Sequence, residues 1–390
     1  MARVFLHIGA HKTGTTFLQN LFHLNRERLQ QVGVYYPHIG PNTAHHALAA
    51  AWIDLPDIPA SFYGAAGPEG LWSRIIDRYA GATGTLFLSA ENFSRCFPQE
   101  IDMKDLARRL SVFEEVRVIY TMRAQAPLVQ SLWLQLARTN RVLAVHSYVR
   151  EAIERRRAVG VRVDHDAMYA ALLQGFAPEQ IHLLDYSQLC RTPGGIGQAF
   201  LDLMGADVQA ETLKQPQDAA RNVSPDPLSY WIASQIAGSK IPAPELLIAV
   251  SEILRATGRP GTLLARYEYR KIRGRYSPGN ADLVARVQPF QPGFSFEEPA
   301  FAENTLYRDE ITQDLWIRFA AAIYAGQASA GGKNRSALLD WVRSSRHPLP
   351  LPVAARSGPC HNVGLRAGVK AVKLNTWIMP WFCRVWQRWH

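Results

Sequence analysis

Short apolar runs alternate with amphipathic stretches over the first two hundred positions. Four of the runs read as buried strands: Val4–Ile8, Thr85–Ser89, Val116–Thr121 and Ile181–Asp185. Each is β-rich or apolar throughout, as expected of central strands covered on both faces. Between them apolar residues recur at helical spacing. Phe17, Leu18, Leu21 and Phe22 make one face of a helix predicted over Thr16–Gln31. Further helices are predicted over Pro127–Arg138, Ser147–Arg157 and His165–Gln174. This rhythm predicts an α/β fold, a three-layer sandwich around a central parallel sheet with helical additions. The stretch Gly40–Gly70 is rich in Pro, Gly and Ala and reads as an irregular insertion near the sheet's edge. Pro225–Ile272 reads as helical again, and Tyr276–Pro292 carries no firm pattern.

Composition narrows the class. Of 390 residues, 47% are hydrophobic and 19% charged, which is globular composition. The net charge of +10 is unevenly placed. From Lys333 to His390, ten basic residues face the single acid Asp340, a net of +9 that leaves +1 for residues 1–332. A near-neutral body removes most support for nucleic-acid binding by the whole chain. Gln327–Gly332 is a small-residue linker by composition, so the expected organisation is 1–326, linker 327–332 and basic tail 333–390. Cys96, Cys190, Cys360 and Cys383 form no C-x-x-C pair and no metal-like spacing, so no metal is expected and free thiols suit a reducing cytosol. No signal-peptide pattern precedes Val4, and no apolar run reaches the ~18 residues that span a bilayer. The expected location is cytoplasmic, with peripheral contact at the inner membrane face.

Chemistry concentrates at the first strand–helix junction, Gly9-Ala-His-Lys-Thr-Gly-Thr-Thr16. Glycine lets the chain turn tightly, successive N–H groups face an anion, and the helix N-terminus favours negative charge. Lys12 adds a mobile full charge, and the Thr15 and Thr16 hydroxyls can donate further bonds. An NTPase P-loop would place lysine directly after the last glycine. Here Lys12 precedes Gly14 by two, which argues against ATP or GTP hydrolysis but not against a related sheet. A second anion-binding element follows the strand ending at Thr121. Arg123 stands at the carboxyl end of that strand, where open α/β sheets bind ligands. Ser131 lies eight residues on, within the following helix.

Together these elements resemble the PAPS-dependent sulfotransferases, on a sheet similar to that of the P-loop NTPases. Lys12, Thr13, Gly14, Thr15 and Thr16 match the family's loop for the 5′-phosphosulfate of 3′-phosphoadenosine 5′-phosphosulfate. Arg123, Pro127 and Ser131 match the element that binds its 3′-phosphate. The form His-Lys-Thr-Gly-Thr-Thr looks like the bacterial branch. Motif-level resemblance covers about residues 4–140, with weak likeness at Arg221–Ser224 and Tyr276–Ala281; the family's usual C-terminal R-K-G element is not recognisable. The resemblance implies sulfuryl transfer to an acceptor hydroxyl or amine, with 3′,5′-adenosine bisphosphate as product and no metal. It makes Lys12 the stabiliser of the leaving group.

The base is open between two candidates. Glu91, in Ser89-Ala-Glu-Asn-Phe93, follows the second strand and matches the position of the family's acid–base residue. A structural carboxylate paired with Arg95 or Lys104 is its plain alternative. His45-His46, in the irregular insertion, is the rival, with His46 the candidate. Asp185-Tyr186 ends another strand and reads as more structural than catalytic.

Five of the ten tryptophans (Trp341, Trp377, Trp381, Trp386 and Trp389) lie in the tail. Ile378, Trp381, Phe382, Val385, Trp386 and Trp389 recur at helical spacing with Arg384, Gln387 and Arg388 on the other face, which fits an interfacial helix on an anionic membrane. A helix packed on the body or on a second subunit fits as well, and a tail that binds an acidic glycan is a third reading. The expected acceptor is a carbohydrate or glycolipid. The alternative functions are a nucleotide-dependent kinase and a non-catalytic membrane-associated scaffold that retains a nucleotide site.

Overall fold

The computed structural model describes residues 2–139, 142–216 and 224–330. The chain divides into two compact units, Met1–Phe319 and Ala320–His390. The first is built on five parallel strands: β1 (Arg3–His7), β2 (Val34–Tyr35), β3 (Thr85–Ser89), β4 (Glu115–Met122) and, past the small hairpin β5 (Arg157–Ala158) and β6 (Val161–Arg162), β7 (Ile181–Asp185). Their order is β2-β3-β1-β4-β7. In register, His7 of β1 lies between Ser89 of β3 and Ile119 of β4. The carboxyl ends of the three central strands therefore meet at one edge. A further short parallel pair joins β8 (Gly261–Thr262) to β9 (Leu306–Tyr307).

The helices of the described residues are α1 (Thr15–Leu24), α2 (Arg26–Gln31), α3 (Gly67–Tyr79), α4 (Met103–Leu110), α5 (Gln125–Ala137), α6 (Val145–Glu154), α7 (His165–Leu172), α8 (Tyr186–Leu189), α9 (Gly195–Met204), α10 (Pro227–Ile236), α11 (Pro244–Ala256), α12 (Arg266–Val287) and α13 (Gln313–Ala330), and both faces of the sheet are covered. Side chains alternate across the sheet and feed two cores. Val4, Leu6 and Ile8 pack with Leu86, Val118 and Tyr120 against α3, α4, α7 and the end of α12. Phe5, Phe87 and Ile119 pack against Leu18, Leu21 and Phe22 of α1 and Phe200 of α9. Each central strand is apolar on both faces because both faces are covered.

Four readings of the sequence need correction. The helix expected over Thr16–Gln31 breaks at Asn25, whose amide donates to the Leu21 and Lys214 carbonyls and accepts from the Lys214 N–H. The edge strand Val34–Tyr35 was not predicted; two residues are too short for a period to register. The helix expected over Ser147–Arg157 ends at Glu154, and the next residues form the β5–β6 hairpin. Tyr276–Val287, patternless by composition, is the second half of α12 and runs through Pro278. Burial of Tyr269, Ile272, Tyr276, Leu283 and Val287 along one face outweighs the low helix propensity of Gly274, Pro278 and Gly279. The 40–70 segment holds two short 3₁₀ turns, His46–Ala51 and Ala60–Tyr63, and contributes Ala47 and Leu48 to the core.

Helix α13 takes in positions 327–330 of the small-residue segment. The basic tail, its tryptophans, Cys360, Cys383 and residues 221–223 lie outside the described residues. Cys96 and Cys190 are free thiols. Among the described residues, no helix is long and apolar enough to cross a membrane.

Candidate active site

The chain leaves β1 without leaving the sheet at once. The Ile8 and Ala10 N–H groups still donate to Ile119 and Thr121 of β4, at 2.9 and 2.8 Å. A tight turn follows, closed by Thr13 Oγ1 donating to the Ala10 carbonyl at 2.6 Å. Lys12 (φ 67°) and Gly14 (φ 75°) both adopt the left-handed conformation. That costs Gly14 nothing and costs the lysine about 1–2 kcal/mol, strain of the kind kept at functional loops. Gly14 is the N-cap of α1 and supplies no side-chain cap, so the first N–H groups of the helix, at Thr15, Thr16 and Phe17, are left for another acceptor. Thr15 is buried and Thr16 exposed.

Arg123 enters from β4. Its Nη1 donates to the carbonyl oxygen of Lys12 at 2.7 Å, and its guanidinium lies 5.3 Å from the Tyr186 ring centre. Among the described residues, neither Lys12 nor Arg123 has a carboxylate within 4 Å. Burial, then Arg123 and Arg138, hold the Lys12 ammonium below its usual pKa, with Glu91 opposing. Burial likewise lowers Arg123. Two cations this close without an acidic partner make a site short of negative charge. Ser131 is half-buried in α5, and among the described residues its hydroxyl makes no hydrogen bond, to Arg123 or to any other group.

Glu91 opens the 3₁₀ turn Glu91–Ser94 after β3. Ser94 ties that turn to the first loop by donating to the Gly9 carbonyl at 3.1 Å. Gln19 Nε2 donates to Glu91 Oε2 at 3.0 Å, and His46 Nε2 lies 3.8 Å from the same oxygen. Burial alone would raise the Glu91 pKa, but His46, His11 and the Gln19 hydrogen bond bring it down to about 2. His11 is pushed to about 4, by burial first, although Glu91 opposes the shift. His11 Nε2 and His46 Nδ1 are buried polar atoms with no hydrogen-bond partner. An ionised carboxylate and two imidazoles with spare nitrogens therefore gather beside the lysine loop.

The two adjacent histidines separate. His45 is fully buried; its Nδ1 accepts from the Ser89 N–H at 2.8 Å and its Nε2 donates to the Pro37 carbonyl at 2.7 Å. Both nitrogens are used, and burial drives its pKa down to about 3. His45 is a structural strut, and His46 is the one that faces Glu91. Asp185 is structural too, capping α8 through the Ser187 N–H and accepting from the Glu297 N–H, both at 2.7 Å. Tyr186 packs at the lysine loop, 3.5 Å from where a Cβ on Gly14 would sit, a cleft-lining place that the sequence reading allowed for this pair.

Three contributors escaped the sequence reading: His7, His11 and Gln19. His7 links three strands, with Nδ1 3.0 Å from Ser89 Oγ and Nε2 3.2 Å from Thr121 Oγ1. A Cβ on Gly9 would come within 2.5 Å of that ring, so only glycine passes over it. His11 stands next to Lys12, and Gln19 is four residues after Thr15 on α1; those spacings were the available signals. Beside α1, a slot of about 310 Å³ is lined by Phe17, Leu21, Gly194, Ala210, Glu211 and Gln215.

No family model matches the chain, and no curated protein matches it. Solved structures give partial likenesses. A sulfotransferase from Alicyclobacillus acidocaldarius is 16% identical, covering 62% of this chain and 97% of its own, with a TM-score of 0.34. The sulfotransferase domain from the curacin biosynthetic pathway is 12% identical, covering 66% and 96%, with a TM-score of 0.31. The sulfotransferase domain of the Synechococcus PCC 7002 olefin synthase is 12% identical, covering 65% and 94%, with a TM-score of 0.26. At these scores the likeness bears on neither substrate nor chemistry.

Proposed function

We propose that this chain is a sulfotransferase that uses 3′-phosphoadenosine 5′-phosphosulfate and transfers its sulfuryl group to an acceptor hydroxyl or amine. One observation carries the reading. Lys12 and Arg123, joined through the Lys12 carbonyl and lacking any carboxylate partner among the described residues, flank an uncapped helix start. Such a cradle suits a ligand with two separate phosphate-type groups.

The residues divide the work by their chemistry. The N–H groups and hydroxyls of Thr15 and Thr16 hold the 5′-phosphate. Lys12 neutralises charge that grows on the leaving oxygen, an interaction stronger in the transition state than in the ground state. Arg123 takes the 3′-phosphate, with Ser131 as the further donor. Glu91 and His46 act as the pair that receives the acceptor's proton. The donor supplies only the activated sulfuryl group. The slot beside Phe17 and Gln215 offers apolar and amide surface for the nucleoside.

A glycan or glycolipid hydroxyl is the acceptor we place first, because the 40–70 segment brings His46 to Glu91 and the 333–390 tail is basic and aromatic. Donor labelled in its sulfuryl group, incubated with the protein and host glycan extracts, should give labelled product that disappears with Lys12→Ala. Transfer of label from γ-labelled ATP instead would make the protein a kinase.

A further inference from the structure

The N-terminal half of α12 exposes Arg266, Arg270, Lys271, Arg273 and Arg275, five cations in ten residues. Arg266 is engaged by Glu310 and lies over the Tyr307 ring. The other four have no carboxylate within 4 Å among the described residues. The acid of this stretch, Glu268, is buried and bridged by Arg308 at 2.8 Å through both oxygens, so it neutralises none of them. On the neighbouring α6, Glu151 is paired within its own helix by Arg155 at 3.7 Å. This concentration of charge stands out on a body of residues 1–332 whose net charge is only +1.

We propose that this stripe is a docking surface for an acidic polysaccharide chain. Arginine guanidinium groups match carboxylate and sulfate groups two bonds at a time. Between and just past the cations the exposed residues include the small or compact Gly274 and Pro278, so an extended chain can lie close to the helix there; exposed Asp282 marks the end of the basic stretch. An interfacial membrane helix would need an exposed apolar face. Here Tyr269, Ile272 and Tyr276 are spent in the core, and Tyr267 is the large apolar side chain exposed on this stretch. A single nucleic-acid strand would look for aromatic platforms among the cations, where Tyr267 alone of the described aromatics on this stretch is exposed; a duplex is tested by titration.

The same helix reaches the proposed active site. Asn280 and Gln125 exchange amide hydrogen bonds at 3.0 Å each, and Gln125 lies two residues past Arg123. From Asn280 back to Arg270 is ten residues, about 15 Å along the helix axis. The stripe and the contact with Gln125 thus belong to one helix. The partner's identity rests on the glycan-acceptor reading, and the test is a binding measurement independent of transfer.

The full chain and a variant carrying Arg270→Ser, Lys271→Ser, Arg273→Ser and Arg275→Ser are titrated with a size-defined sulfated uronate oligosaccharide. The same titration is run with a duplex oligonucleotide and with phosphatidylglycerol vesicles. The tail is present in both proteins, so the readout is their difference. The variant should lose about tenfold or more in oligosaccharide affinity, with a salt dependence shallower by about two or more counterions. Its melting temperature and its affinity for 3′,5′-adenosine bisphosphate should stay unchanged, so a failure of the nucleotide reading would show separately. Unchanged oligosaccharide affinity overturns the proposal, as does a larger loss for the oligonucleotide or the vesicles. Should the fourfold variant melt early, Arg270→Gln with Lys271→Gln must still weaken oligosaccharide binding, or the proposal falls.

Discussion

Arg123 and Lys12 stand 111 positions apart in sequence and meet through one hydrogen bond, from Arg123 Nη1 to the Lys12 carbonyl at 2.7 Å. The bond fixes the strained residue of the first loop from the neighbouring strand. It also brings a second positive charge near the first, and Arg123 is the largest charge acting to lower the Lys12 pKa. Like charges held together in a buried edge are costly until an anion enters. The two elements that the sequence marks as anion-binding candidates therefore touch each other in the fold.

Lys12 combines strain with function, and the two can be separated. Lys12→Gly should relieve a left-handed conformation and raise stability by about 1 kcal/mol. It should also lower kcat by about 10²-fold or more, because charge on the leaving oxygen loses its partner. Denaturant titration and saturating kinetics on the same preparation check both. A kcat equal to that of the parent protein removes Lys12 from the leaving-group role.

The Glu91–His46 pair carries a pH signature. With its pKa near 2, Glu91 stays ionised across the working range. Protonation of Glu91 therefore accounts for no fall in kcat/KM between about pH 7 and 5. Glu91→Gln should lower kcat by ~10²–10⁴-fold with little change in nucleotide affinity. His46→Gln should lower kcat by about tenfold or more, again with little change in nucleotide affinity. If both variants keep the parent's kcat, the proton goes elsewhere.

Stability should fall with acid through buried neutral histidines. His7 and His165 are brought to about 4 and His45 to about 3, in each case chiefly by burial. Near and below pH 6.5 the unfolded chain binds protons that the folded chain refuses, so the sign is destabilising as pH drops. The stabilisation is complete above the unfolded pKa and is lost from pH 6.5 down toward pH 4. Each histidine removes about 1.4 kcal/mol per pH unit inside that window. Melting temperature should be nearly level from pH 7 to 8 and fall steeply from 6 to 5. A level curve down to pH 5 would mean that these rings are protonated in the folded protein.

Much of the fold was legible because burial leaves a simple mark on sequence. Thr85–Ser89 and Ile181–Asp185 appear where the apolar runs placed them, and β1 and β4 shift by a residue or two. What lacked a mark was missed. Val34–Tyr35 is too short for a pattern, and α12 hides behind Gly274, Pro278 and Gly279 until its buried stripe is seen in place. The same holds at the site. Lys12, Gly14 and Arg123 announced themselves through residue type beside a strand end. The split between His45 and His46 depends on which imidazole turns toward Ser89 and which toward Glu91, and adjacent letters carry no such information. Gln19 and His11 acquire meaning only when α1 and the turn after β3 are brought together.

Calorimetric titration of the full chain with 3′,5′-adenosine bisphosphate, 5′-AMP and ATP, repeated with Arg123→Ala, tests the central claim most directly. The account predicts saturable binding of the bisphosphate and at least about tenfold weaker binding of ATP and of 5′-AMP, with Arg123→Ala costing the bisphosphate about 2–5 kcal/mol. Because Arg123 also holds the Lys12 carbonyl, 5′-AMP should lose a smaller amount in the same variant. Tighter binding of ATP than of the bisphosphate, or equal losses for bisphosphate and 5′-AMP, would contradict it.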